Sequence, residues 1–101
     1  MGMEILFKDK NLDKLEIDAS FSGGFPSNIV RAFRKRMQQI RAAKDERDFY
    51  SIKSLGYEKL KGGRKHQHSM KLNDQWRLIL EFEVEGHNKK IFIVSIEDYH
   101  H

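Results

Sequence analysis

The sequence predicts an α+β domain: helices early, one of them long, packed on a mainly antiparallel sheet formed by the C-terminal half. Three observations carry that expectation. Val30, Phe33, Met37 and Ile40 recur at steps of three and four, the spacing of one helix face. From Tyr57 onward the apolar pattern changes to period two, the spacing of strands. The breaks within that second half, Asn73-Asp74-Gln75 and Glu85-Gly86-His87-Asn88, are tight turns, which make the strands they join antiparallel.

The elements follow in order. Met3 to Lys8 alternates and reads as a short strand with Ile5 and Phe7 on one face. Asn11 to Asp18 carries Leu12 and Leu15 at helical spacing, then Ile17, and reads as a short helix or an irregular turn. Ser22-Gly23-Gly24-Phe25-Pro26 is a break. Ser27 or a neighbour is expected to cap the long helix, which runs to about Lys44. Its apolar stripe would lie on the sheet. Arg31, Arg34, Lys35, Gln38 and Arg41 fall mostly outside the stripe and form a cationic flank. Lys44 to Arg47 reads as a connection, and Phe49 to Leu55 has no clear period before Gly56 ends it. His68, Met70 and Leu72 then share one strand face, with Ser69 and Lys71 on the other. Trp76, Leu78, Leu80, Phe82 and Val84 form the apolar face of the next strand, which sends Arg77 to the opposite side. Ile91 to Glu97 is the last strand.

A chain of 101 residues holds one core, so residues 1–101 are expected to form one domain. The absence of cysteine removes disulfide and thiolate chemistry and fits a reducing cytoplasm. The N-terminus lacks the basic and apolar regions of a signal peptide, and no stretch approaches the ~18 apolar residues of a membrane span. A cytoplasmic protein without a membrane role is the expectation. The net charge of +4 conceals an asymmetry. Residues 31–77 hold 14 Lys/Arg against 5 Asp/Glu, while the remainder holds 5 against 10. A basic middle of this kind is what a polyanion would meet, although solvated lysines and arginines alone can produce it.

Several groups carry candidate chemistry. Asp98-Tyr99-His100, with His101 behind it, follows directly after a core strand and delivers an acid, a phenol and an imidazole together. His100 titrates near neutral pH and is the best proton carrier. Lys61-Gly62-Gly63-Arg64 places two cations around a glycine pair that lets a ligand approach the backbone. An exposed hairpin turn explains it equally well. Arg77 can grip a phosphate with two parallel bonds, and an ordinary exposed strand arginine explains it equally well. Lys65 and His66 extend the basic run beside Arg64. His66 and His68 are expected on one strand face, but no third ligand stands at a metal-binding spacing, so a semi-buried structural His68 is the better reading.

Taken together these residues resemble the HigB-like toxins of the RelE/ParE superfamily. Three blocks carry the resemblance: Leu60-Lys61-Gly62-Gly63-Arg64, Leu72-Asn73-Asp74-Gln75-Trp76-Arg77-Leu78, and Glu97-Asp98-Tyr99-His100. The resemblance implies a type II toxin that cuts mRNA in the ribosomal A site without a metal or other cofactor. It implies neutralisation by a helix-turn-helix, HigA-like antitoxin. It assigns catalysis to Lys61, Arg77, Asp98, Tyr99 and His100. Some members have a histidine three residues before the lysine; here Glu58 stands there, a carboxylate able to act as base. Arg64, Lys65, His66, Arg34, Lys35 and Arg41 are the expected RNA-binding cations. Two alternatives stay open: a non-enzymatic inhibitor of DNA gyrase, as in ParE-like members, and a plain RNA-binding module.

Overall fold

The computed structural model describes residues 3–64 and 66–99. Strand β1 (Glu4–Phe7) leads into helices α1 (Lys10–Ile17), α2 (Ser27–Ala42) and α3 (Arg47–Ser51). A 3-10 turn (Lys53–Leu55) follows, then β2 (Glu58–Lys59), a second 3-10 turn (Gly62–Arg64), β3 (Gln67–Lys71), β4 (Trp76–Glu85) and β5 (Asn88–Asp98). The sheet order is β1-β5-β4-β3-β2. Only β1 runs parallel to its neighbour, β5; the other pairs are antiparallel. This is the predicted α+β architecture, with the helices reaching the sheet before most of its strands in sequence.

The helices form where apolar side chains have somewhere to go. Leu12 and Leu15 of α1 and Ile29, Val30, Phe33, Met37 and Ile40 of α2 are buried. They join Met70, Leu78, Leu80, Ile91 and Ile93 in one core on a single face of the sheet. Truncating a ring such as Phe33 in a core this size costs ~3–5 kcal/mol. Asp9 caps α1 by accepting from the Asn11 N–H at 2.8 Å. Of Ser27 and its neighbours, Pro26 takes the N-cap position of α2, with no side-chain cap bond, and Ser27 is the first helical residue. Proline has already fixed its φ there, which starts the turn without a hydroxyl. The unpatterned segment before Gly56 is α3 plus the first 3-10 turn, held to the core by Phe49 and Leu55.

One irregularity decides which side chains face where. Between β4 and β5, Ile79 pairs with Ser95 but Leu80 pairs with Ile93. Val94 is therefore an extra residue, a β-bulge that shifts the alternation of β5. Before the bulge, Ile91 and Ile93 face the core. After it, Ile96 opposes Leu78 on that same face, while Ser95 and Glu97 oppose Ile79 and Arg77 on the other.

Candidate active site

The sheet face away from the helices carries the candidate site. Ser69 on β3, Arg77 on β4 and Glu97 on β5 share it by register, with Glu58 of β2 opposite Ser69. Its floor is dry: Ser69 and Ile79 are fully buried beneath the longer polar side chains.

Arg77 is the centre. One terminal nitrogen donates to the Gly56 carbonyl at 3.1 Å and to Ser69 Oγ at 2.9 Å. The other lies 3.5 Å from Glu58 Oε1. The side chain is only 16% exposed, so the guanidinium is fixed rather than swinging in solvent. Gly56 makes the carbonyl bond possible. Its φ of +54° turns the chain in the left-handed region, and an added Cβ would stand 2.7 Å from Lys71 Cδ. The Tyr99 ring lies over Arg77, 5.9 Å from ring centre to guanidinium carbon. The Tyr99 N–H donates to the Gln75 carbonyl, which holds the end of the chain against the turn before β4. That turn is itself fixed by Asn73 Oδ1, which accepts from the Gln75 and Trp76 N–H groups at 2.8 Å each.

Arg64 stands on the same face and holds the Glu97 carboxylate through two parallel bonds, at 2.9 and 2.8 Å. This pair drives Glu97 below the ordinary carboxylate range and Arg64 above its own, with a smaller contribution to Arg64 from Tyr99. Further along, Glu81 accepts from Lys8 and Gln67. Burial opposes its ionisation, but those two bonds and the neighbouring cations outweigh it, and its pKa is lowered.

The sequence-predicted residues therefore separate into groups. Arg77, Glu58, Tyr99 and Arg64 come together. Lys61 is exposed at the entry to the glycine turn beside them. His66 reaches the same face, its Nε2 3.6 Å from Glu81. Asp98 is in register with Trp76, on the face opposite Arg77, and accepts from the Gln75 side-chain amide. Lys65 and His100 lie outside the described residues. Arg34, Lys35 and Arg41 sit on α2, on the helix side of the sheet. Arg34 donates to three carbonyls, those of Leu15, Asp18 and Phe21. Arg41 makes a bidentate pair with Glu16. Lys35 is exposed.

The two histidines do not share a face, contrary to expectation. The strand begins at Gln67, so His66 lies in the turn and points to Glu81. His68 points to the helix side, where its Nε2 is 3.3 Å from Glu46 and its ring stacks on Tyr57. Burial holds His68 below its ordinary pKa despite the nearby Glu46. Burial and the bond to Glu46 push the Tyr57 hydroxyl up. Among the described residues no group of three His, Asp or Glu side chains is placed to hold a metal ion. Sequence reasoning missed Ser69, Gln67, Glu81 and the role of Glu97. The period-two pattern put Ser69 on the Arg77 side, which was the available signal; the rest depended on the bulge and the turn.

Comparisons with known proteins place the chain in a family and show which folds it shares. A family profile described as "RelE-like toxin of type II toxin-antitoxin system HigB" matches residues 5–100. The chain belongs to that HigB-like toxin family. Its fold is shared by a YoeB/ParE toxin from Agrobacterium tumefaciens, at a TM-score of 0.59 and 12% identity over 97% of this chain and 100% of the other. It is also shared by the YoeB–YefM complex from Staphylococcus aureus, at a TM-score of 0.51 and 19% identity over the full length of both chains. No curated protein matches closely enough to count as a relative. Among the described residues of this HigB-like toxin, no helix is long and apolar enough to cross a membrane.

Proposed function

We propose that this HigB-like toxin is a ribosome-dependent endoribonuclease that cuts mRNA in the A site and so blocks translation. The observation that carries the reading is the clamped guanidinium of Arg77. It is held by Gly56, Ser69 and Glu58 and covered by the Tyr99 ring on an open sheet face. A group fixed before substrate arrives stabilises developing charge without reorganising.

Cleavage within RNA by its own 2′-OH requires three things. A base removes the 2′ proton, cations stabilise the phosphorane, and an acid protonates the departing 5′ oxygen. Arg77 and Lys61 serve the phosphorane. Glu58, beside Arg77, is the base that this face offers. Asp98, on the other face, is left to order the end of the chain through Gln75. His100, next in sequence to Tyr99, is the proton donor. Tyr99 stacks on a base, as single-stranded RNA recognition requires. Arg64, Lys65 and His66 extend the cationic track. A positioned acid or base supplies ~10²–10⁴-fold, so catalysis divides among several groups. All of these steps are assigned to side chains, with no cofactor.

The partner is an antitoxin, a reading supported by the fold shared with the YoeB–YefM complex, and its helix-turn-helix, HigA-like type is what the family resemblance implies. The protein acts in the cytoplasm, where ribosomes are. Induced expression of the chain alone tests the reading. Growth should arrest, and primer extension should show new 5′ ends inside reading frames. Growth arrest with intact transcripts and inhibited DNA supercoiling would replace it with a gyrase poison.

A further inference from the structure

A continuous run of side-chain bonds crosses the open face, from the end of β1 to the end of β5. Lys8 Nζ donates to Glu81 Oε1 at 2.7 Å. Gln67 Nε2 donates to Glu81 Oε2 at 2.8 Å, and Arg64 Nε donates to Gln67 Oε1 at 2.8 Å. The two terminal nitrogens of Arg64 then hold Glu97, and Ser95 Oγ donates to Glu97 Oε2 at 3.0 Å. From Lys8 to Glu97 each step joins two different segments, and Ser95 then braces Glu97 within β5. The register explains the run: Gln67 is opposite Glu81, and the bulge brings Ser95 and Glu97 to this face.

The chemistry of Arg64 suits a pin. A guanidinium has five N–H groups in a rigid fork. Three are committed here, to Gln67 and to both oxygens of Glu97. Gripping a phosphate through this fork would break that set, so Arg64 lends the cationic track its charge and not these bonds. Glu81 and Glu97 each hold cationic or amide donors in place on this face.

What Arg64 pins is the segment between β2 and β3. The Leu60 N–H bond to the Gln67 carbonyl, at 2.9 Å, extends the ladder just before that segment begins. Beyond it, nothing among the described residues lies within 4 Å of where a Cβ of Gly62 or Gly63 would stand. Lys61 rides on this segment. We infer that Glu97 and Gln67 are positioning residues, which fix Arg64 and, through it, hold the Lys61-bearing turn over the site. Glu81 and Lys8 anchor the far end. The inference rests on the nuclease reading for its effect on rate, though not for its effect on the turn.

The test uses Glu97→Ala, Glu97→Asp and Gln67→Ala, with Glu83→Gln as control on the same sheet face. Two readouts are needed: steady-state cleavage of mRNA on programmed ribosomes, and ¹⁵N relaxation of the Gly62 and Gly63 amides. Glu97→Ala should lower kcat on the order of a hundredfold, as a misplaced catalytic group does, with KM little changed. The two glycine amides should gain fast motion while the protein stays folded at the assay temperature, its melting temperature falling only by the share the Arg64–Glu97 pair contributes. Gln67→Ala should follow in the same direction, Glu97→Asp should recover part of both, and Glu83→Gln should change neither. A rise in KM with kcat retained would make the pair a binding element and overturn the inference. Unchanged relaxation in Glu97→Ala would also overturn it. If the wild type cuts no RNA, the nuclease reading fails, and the relaxation arm alone decides whether the turn is pinned.

Discussion

Arg77 and Tyr99 meet on the open face of the sheet because β5 carries one extra residue. Without the bulge at Val94, strict alternation would put Tyr99 on the same side as Ile91 and Ile93. With it, the ring stands over the guanidinium at 5.9 Å. The strand that completes the core thus also completes the site.

Deleting residues 99–101 should leave a folded protein that binds ribosomes and does not cut. Core burial on β5 comes from Ile91, Ile93 and Ile96, and Tyr99 adds one backbone bond to Gln75. Stacking on one base is worth ~1–3 kcal/mol, so some binding is lost with the ring, but the proton donor is lost altogether. Ribosome pelleting and cleavage assays on one preparation separate the two. Full cleavage after truncation would remove the tail from the site.

Gly56→Ala should reduce both stability and activity. Holding a residue with a Cβ at φ +54° costs ~1–2 kcal/mol, and the new methyl crowds Lys71. Relief of that strain would move the carbonyl that fixes Arg77. Thermal melts should show the first effect and kcat the second. Wild-type kcat with a lowered melting temperature would detach Gly56 from the site.

Much of this was legible in the sequence, for reasons that differ by element. The stripe of α2 at steps of three and four and the period-two run through β4 each report a single buried face, so helix, strand and the outward course of Arg77 could be read directly. The parallel pairing of β1 with β5 could not, because register between distant segments leaves no local pattern. Nor could the bulge: Ile91-Phe92-Ile93-Val94 is apolar throughout and gives no sign of which residue is extra. The facing of Tyr99 and Glu97 depended on it. Arg34 and Arg41 look like solvated cations in sequence because their partners, three carbonyls and Glu16, lie many residues away.

Those two arginines should matter for stability more than for RNA. Arg34→Ala strands three carbonyls, and bonds to a charged donor are worth ~1.5–3 kcal/mol each at most. Arg41→Ala breaks an exposed pair worth ~0.2–1 kcal/mol. Lys35→Ala should be neutral for stability. Urea melts should rank them Arg34, Arg41, Lys35. Cleavage per folded molecule should stay near wild type in all three. Loss of ribosome binding without loss of stability would return α2 to the RNA interface.

Stability should fall with acid in two stages. His68 is held below its ordinary value of 6.5 by burial, so as pH drops through about 6.5 the unfolded chain takes up a proton that the folded one resists. Glu97 and Glu81 are also lowered from 4.5. Their contribution is complete above the unfolded value and is lost as pH falls through their folded values. In each case the unfolded state binds more protons, so stability rises with pH. Denaturant midpoints across pH should show both stages. His68→Phe should flatten the upper one, and Glu97→Gln the lower. Stability rising on acidification from pH 7 to 5 would contradict this.

The clamped guanidinium is the centre of the account, and the most direct measurement compares two arginines that each carry one charge. Single-turnover cleavage of ribosome-bound mRNA should be measured for wild type, Arg77→Ala and Arg31→Ala. Arg31 is exposed on α2. Losing a fixed contact to the phosphorane costs ~2.7–4 kcal/mol, so Arg77→Ala should slow cleavage ~10²–10³-fold. Arg31→Ala should stay near the wild-type rate. Equal, small losses in both variants would show a surface that attracts RNA through general charge, and would contradict a catalytic site built around Arg77.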